Sequence, residues 1–262
     1  MVSRVLPVFG SRRAVHVVER NFEVYKSQWM MLISGFFEPL FYLLSIGIGL
    51  NHLVGNLHVG GHVVSYATFV APGMLATSMM NGAVIDTIMN VFFRLKITHS
   101  YDSLLTTPLE VTDVALGEIG WATGRAAIYA ASFIACMVLL GDASSWWVLL
   151  CWPAALLTGI AFAGVGLASC TYIRNWQDFD LVTLVQLPIF LFSATFFPIT
   201  LYPRWLGAIV QISPLYQSAA LMRGFALGAF APIMVVRAAY LAAFGLAGLT
   251  IAARRLARIL TP

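Results

Sequence analysis

Six runs of about 20 apolar residues constrain this chain more than anything else in it. They fall at residues 29–53, 66–93, 114–140, 146–172, 181–197 and 232–253. A helix rises about 1.5 Å per residue, so a run of that length can cross a hydrocarbon layer of about 30 Å. The chain has 262 residues, 60% hydrophobic and 10% charged. Soluble domains carry about 25% charged residues, so this apolar surface cannot be hidden in one aqueous core. The expected fold class is an all-α integral membrane protein with six transmembrane helices. One membrane domain over residues 29–262 follows a cytoplasmic N-terminal segment over 1–28, which is too polar for a cleaved signal peptide.

The basic residues give this bundle a direction. Arg4, Arg12, Arg13, Arg20 and Lys26 precede the first run. Arg94 and Lys96 follow the second, Arg174 the fourth, and Arg254, Arg255 and Arg258 the sixth. The alternate side holds Arg204, Arg223 and Arg237, with Arg125 inside a run. Eleven against three places both termini in the cytoplasm by the positive-inside rule. The expected location is a bacterial plasma membrane, crossed several times.

Before the first run, Val15, Val18, Phe22, Tyr25 and Trp29 recur at helical spacing, with Arg13, Arg20 and other polar residues opposite. This is an amphipathic helix in the membrane interface, or else a snorkelling extension of the first span. The loop at 54–65 is expected to be a plain polar, flexible loop. His52, His58 and His62 lack the spacing of a metal site. Beyond the fifth run, Pro198, Pro203 and Pro214 break an apolar stretch. Proline ends helices, so two short helices, 204–212 and 215–226, should form a re-entrant hairpin over about 198–228 at the outer face. Irregular backbone at that depth must be buried in protein, either the chain's own helices or a second subunit. The pairs Gly120–Gly124 and Gly224–Gly228 have the spacing of close helix crossings.

Glu38, Asp86, Glu118 and Arg125 lie within or at the edges of the runs, where a charge must face protein, water or a partner. Glu118 and Arg125 are two turns apart on one face. Glu38 precedes Pro39, which kinks its helix. Asp86 is the best candidate for a functional buried carboxylate. Cys136, Cys151 and Cys170 match no zinc or redox spacing and are expected to be free, buried thiols. No phosphate-binding loop is present: the lysines, Lys26 and Lys96, have no glycine-rich context. No catalytic constellation appears either, so the chain is not expected to be an enzyme or to bind a cofactor or nucleic acid. Any nucleotide hydrolysis must come from another polypeptide.

A polar block over about 94–113 interrupts the apolar runs on the cytoplasmic side. Tyr101, Leu104, Leu105 and Leu109 can form an apolar ridge that ends near Pro108, with Asp102 and Thr106 around it. Such a ridge with a polar rim suits a docking surface, or it belongs to an ordinary amphipathic loop helix.

Several segments together resemble the permease subunit of ABC-2 type exporters, in the NodJ-like lipo-oligosaccharide and daunorubicin-resistance branch. They are Phe37-Glu-Pro-Leu-Phe-Tyr-Leu-Leu44, Tyr66-Ala-Thr-Phe-Val-Ala-Pro-Gly73, Tyr101-Asp-Ser-Leu-Leu-Thr-Thr-Pro-Leu109 and Leu116-Gly-Glu-Ile-Gly-Trp121. Phe192-Ser-Ala-Thr-Phe-Phe-Pro198, Tyr202-Pro-Arg-Trp-Leu206 and Met222-Arg-Gly224 continue the likeness in order. One departure is Asp86, where that branch would carry the longer Glu. The resemblance implies a transmembrane dimer, as a homodimer or with a sister permease, above two ATPase subunits that hold ATP and magnesium. It assigns the N-terminal helix and the polar block, as a coupling helix, to ATPase contacts, and it implies export of an amphipathic cargo such as a lipid-linked glycan, glycolipid or hydrophobic drug. The competing expectation is an ion- or proton-driven carrier using Asp86 and Glu38.

Overall fold

The computed structural model describes residues 54–59, 62–98, 111–143 and 145–260, together with the isolated positions Asn21, Phe41, Leu43, Leu44, Ser45 and Gly49. Most of the expected first span lies outside the described residues. So do Arg13, Arg20, Phe22, Tyr25 and Glu38, and the docking residues Tyr101, Asp102, Leu104, Leu105, Thr106, Pro108 and Leu109.

Strands β1 (Asn56–Val59) and β2 (His62–Ser65) pair antiparallel, with Val59 opposite His62. This corrects the expectation of a plain loop over 54–65. The sequence places Gly60-Gly61 between the paired ends, the composition that two-residue hairpins favour. Ser65 then caps α1 (Tyr66–Phe92), its Oγ accepting from the Thr68 amide at 3.1 Å. A π-helical turn, Phe93–Ile97, extends α1.

Helix α2 (Val111–Leu139) ends at Gly141, whose φ of +79° suits glycine. Its end is a Schellman motif: Asp142 N–H donates to Met137 O at 2.9 Å and Gly141 N–H to Val138 O at 3.2 Å. A 3-10 turn, Trp146–Leu150, leads into α3 (Cys151–Cys170). Then come α4 (Asp178–Leu191), α5 (Arg204–Ile212), α6 (Pro214–Ala226) and α7 (Ile233–Leu260). Pro214 at the first turn of α6 loses no hydrogen bond there. Gly228, at φ +68°, closes α6 with a second Schellman motif.

Among the described residues, four helical stretches are long and apolar enough to cross a membrane: Tyr66–Ile97, Ala115–Leu139, Trp146–Cys170 and Ile233–Ile259. The run at 181–197 does not form one helix. Helix α4 has 14 residues, about 21 Å, and residues 192–197 form bends. Ala194 sits there in the left-handed region at φ 52°, and Ser193 Oγ donates to Phe190 O at 2.7 Å. Short polar side chains that bond the local backbone compete with helix continuation.

Helix α3 is the axis of the bundle and packs against α1, α2, α6 and α7. Its small residues set the spacing. A Cβ on Gly164 would lie 2.8 Å from Gly245 O, and one on Gly245 would lie 2.8 Å from Ala161 Cα. Lipid supplies no hydrophobic drive between helices, so such close backbone contact drives their association. These are the close crossings. A Cβ on Gly124 would meet nothing within 4 Å, so Gly124 is not at a close helix crossing among the described residues.

Helices α5 and α6 occupy the segments at which the prolines pointed. Helix α6 is buried against the chain's own α1, α3 and α7. By contrast, no residue of α4 is buried. It touches α1 through Gln186 Nε2, which donates to Asn81 Oδ1 at 2.6 Å. A cavity of about 610 Å³ separates it from α1, α3 and α7, walled by Val84, Phe162, Val185 and Phe244, with Arg174, Asp178 and Ser169 among its polar lining.

Candidate functional site

Helices α1 and α2 enclose the polar block, and two ion pairs join them. Arg94 pairs with Glu118, and Arg125 with Asp86. Asp86 and Arg94 are eight residues apart on α1, and Glu118 and Arg125 seven apart on α2. The rungs are therefore separated by about 11–12 Å. Both helices carry acid before base along the chain, and because they run antiparallel one register satisfies both pairs. A slip of one turn, about 5.4 Å, breaks both.

The lower rung is the dry one. Glu118 is 3% exposed and Arg94 12%, whereas Asp86 is 34% exposed. The expectation that Asp86 is the best-buried candidate carboxylate is thus corrected: of the two paired carboxylates, Glu118 is the buried one. Asp86 has the shorter side chain and lies on a helix face that stays open. Glu118 and Arg125 do share a face, the one turned to α1. Glu118 also accepts from Asn21 Nδ2 at 3.5 Å. One carboxylate therefore joins the N-terminal segment, the end of α1 and the start of α2. Arg94 sits in the π turn, closed by Thr98 N–H donating to Phe93 O at 2.9 Å. Single π turns inside helices recur at functional sites. The edges of the polar block are therefore helical continuations of α1 and α2, and residues 99–110 between them lie outside the described residues.

Aromatic and basic contacts complete this end of the bundle. Trp176 stacks on Phe179 and meets Phe92 and Phe93 edge-on, with ring centroids 5.2–5.5 Å apart. Arg255 donates from Nε to Thr171 Oγ1 at 3.0 Å and lies 3.7 Å over the Tyr172 ring. The carboxylate of Asp178, outside the spans, accepts from the amides of Arg174 and Asn175 at 2.7 and 3.2 Å, which holds its pKa below the ordinary carboxylate value.

Two residues escaped the sequence reading. Asn21 carries no periodic signal of its own. Arg223 entered as an outer-loop charge and within the Met222–Gly224 segment of the resemblance, with no role assigned, yet it is the hub of the opposite end. Its Nε donates to Phe69 O at 3.1 Å, and its Nη2 to Ala194 O and Thr195 O at 3.1 and 3.4 Å. Its guanidinium lies 3.9 Å over the Phe69 ring. These bonds hold the left-handed Ala194 turn against α1, where Gly73 leaves room for Thr195. An arginine in the last turn of a short helix whose residues are mostly buried was the signal available.

Four helical stretches long and apolar enough to cross a membrane, among the described residues, define a multi-pass membrane protein. The chain belongs to the ABC-2 type transporter family, whose profile matches residues 13–227. It is 34% identical over 221 residues to Nodulation protein J of Rhizobium leguminosarum bv. trifolii, covering 84% of this chain and 83% of that one. It is 31% identical over 218 residues to Nodulation protein J of Rhizobium meliloti, covering 82% and 81%. To the inner membrane transport permease YadH of Escherichia coli it is 24% identical over 180 residues, covering 67% and 69%. The chain is thus the membrane subunit of an ABC transporter.

Proposed function

We propose that this chain is the permease subunit of an ATP-driven exporter for an amphipathic cargo. Two copies, or one copy with a sister permease, stand above two ATPase subunits that hold ATP and magnesium. In this reading the bends after α4 complete a fifth crossing, six spans leave both termini in the cytoplasm, and α5 and α6 form the outer re-entrant hairpin. The N-terminal helix with Arg13, Arg20, Phe22 and Tyr25 lies along the inner interface, and Tyr101–Leu109 docks on the ATPase.

The Arg94–Glu118 pair carries this reading. It sits at the root of residues 99–110, so a push on that segment is delivered to α1 and α2 together. ATP binding on the partner thereby biases the bundle between two arrangements. The cavity beside α4, apolar along its walls and polar at one end, suits a cargo of mixed character. The carrier alternative has less support: Asp86 has a structural partner in Arg125, and one pairing accounts for both charges.

The test is co-expression with a candidate ABC ATPase subunit. Leu105→Asp should abolish co-purification and ATP-dependent transport. Transport that survives the substitution with the complex intact refutes the docking assignment. Transport that persists without ATP and collapses with the proton gradient favours the carrier.

A further inference from the structure

The end of the bundle opposite Arg94 holds a second, smaller cavity of about 370 Å³. Arg223 and Arg237 both line it, with Phe69, Thr200 and Tyr216. Arg223 is 8% exposed. It spends Nε and Nη2 on backbone carbonyls, while Nη1 makes no hydrogen bond among the described residues. Arg237 donates from Nη1 to Ala220 O at 3.2 Å, but its buried Nε has no partner.

Among the described residues, no carboxylate pairs with either of these cations. The chain has no Asp or Glu after Asp180. Two guanidiniums near one another at a largely dehydrated site repel, so holding both without a counter-ion is costly. Guanidinium donors match oxyanions in geometry as well as charge.

We propose that Arg223 and Arg237 form a receptor for the phosphate of an anionic phospholipid. Arg223 is the fixed wall, held by the Ala194 turn, and Arg237 on α7 supplies the adjustable donor. The surroundings favour a lipid over free phosphate. Leu201 beside the cavity is 70% exposed, and Val236 next to Arg237 is 65% exposed. These surfaces can take acyl chains while the small cavity takes only the headgroup. The site is independent of what the transporter carries.

The test uses the full chain in detergent, titrated by native mass spectrometry with dioleoylphosphatidylglycerol, dioleoylphosphatidylcholine and inorganic phosphate. Phosphatidylglycerol should bind the wild-type chain more tightly than phosphatidylcholine, a comparison that needs no variant. Arg237→Gln should weaken phosphatidylglycerol about tenfold or more, the loss expected for one charged hydrogen bond. Arg237→Lys should keep most of the affinity, and thermal unfolding should show both variants folded. Equal binding of the two lipids overturns the proposal, as does an affinity in Arg237→Gln within about twofold of wild type, which is only about 0.4 kcal/mol. Displacement of the lipid by equimolar inorganic phosphate overturns the lipid assignment in favour of a free anion.

Discussion

Removing either partner of the Arg94–Glu118 pair alone should damage the protein far more than removing both. Glu118 is 3% exposed and Arg94 12%. Glu118→Leu strands a dehydrated guanidinium and releases Asn21 Nδ2, and Arg94→Met removes the cation that offsets a dehydrated carboxylate. Breaking a buried pair on one side costs about 3–5 kcal/mol, whereas replacing both by apolar groups of similar volume is often close to neutral. The double variant Arg94→Met/Glu118→Leu should therefore recover much of the stability lost by either single one, less the cost of leaving buried Asn21 Nδ2 without this acceptor. A cost of 3–5 kcal/mol corresponds to about 10²–10³-fold or more in the unfolding equilibrium. Equilibrium unfolding in mixed SDS micelles, followed by tryptophan fluorescence, gives all four corners of the cycle. Single effects that add, with a coupling below about 0.5 kcal/mol, would refute the claim that this rung is a dry, mutual pair. A second readout separates stability from coupling. If the rung transmits the motion of residues 99–110, the double variant should remain folded, bind its ATPase and lose transport per ATP hydrolysed.

Two other consequences can be measured more simply. Gly245→Val should destabilise the α3–α7 crossing by about 1–3 kcal/mol or more, because its Cβ would fall 2.8 Å from the Ala161 backbone. Gly124→Ala, with nothing within 4 Å, should be tolerated in the same unfolding assay; equal losses would show that the crossing is not close-packed. Asp178 titrates below the ordinary carboxylate value of 3.8 when folded, because two backbone amides hold its charged form. Its contribution is therefore present above that value and lost as pH falls through the lower folded one. Asp178→Asn should flatten this part of the acid-side stability profile, and wild-type and variant profiles that stay parallel between about pH 5 and pH 2 would exclude it.

The parts of the fold legible in the sequence are those with local causes. Proline acts on its own neighbours, so Pro203 and Pro214 bounded α5 and α6 to within a residue. Long apolar runs are set by the solvent, so the spans that became α1, α2, α3 and α7 were readable from length alone. The run at 181–197 was misleading because hydropathy does not register where a helix must stop. It stops where Arg223, 28 residues beyond Thr195, takes the Ala194 and Thr195 carbonyls. The hairpin at 56–65 was missed for a related reason: its valines and histidines read as a polar loop until strand pairing gave them a register.

Charges behaved in the same way. Their presence in the spans was plain, but burial depends on which face of a neighbouring helix arrives, and that chose Glu118 over Asp86. The order of signs did hold usable information, since acid then base on α1 faces acid then base on α2, a pattern that two antiparallel helices can satisfy in one register. The two helices so clamped are those that flank residues 99–110. On the proposed reading of residues 99–110 as a coupling segment, their roots must not slip when pushed, and a doubly specified register would supply that at the cost of placing four charges in a membrane bundle. That cost accounts for the position of the drier rung at the end of the bundle, where Arg94 can be dehydrated by protein rather than by lipid.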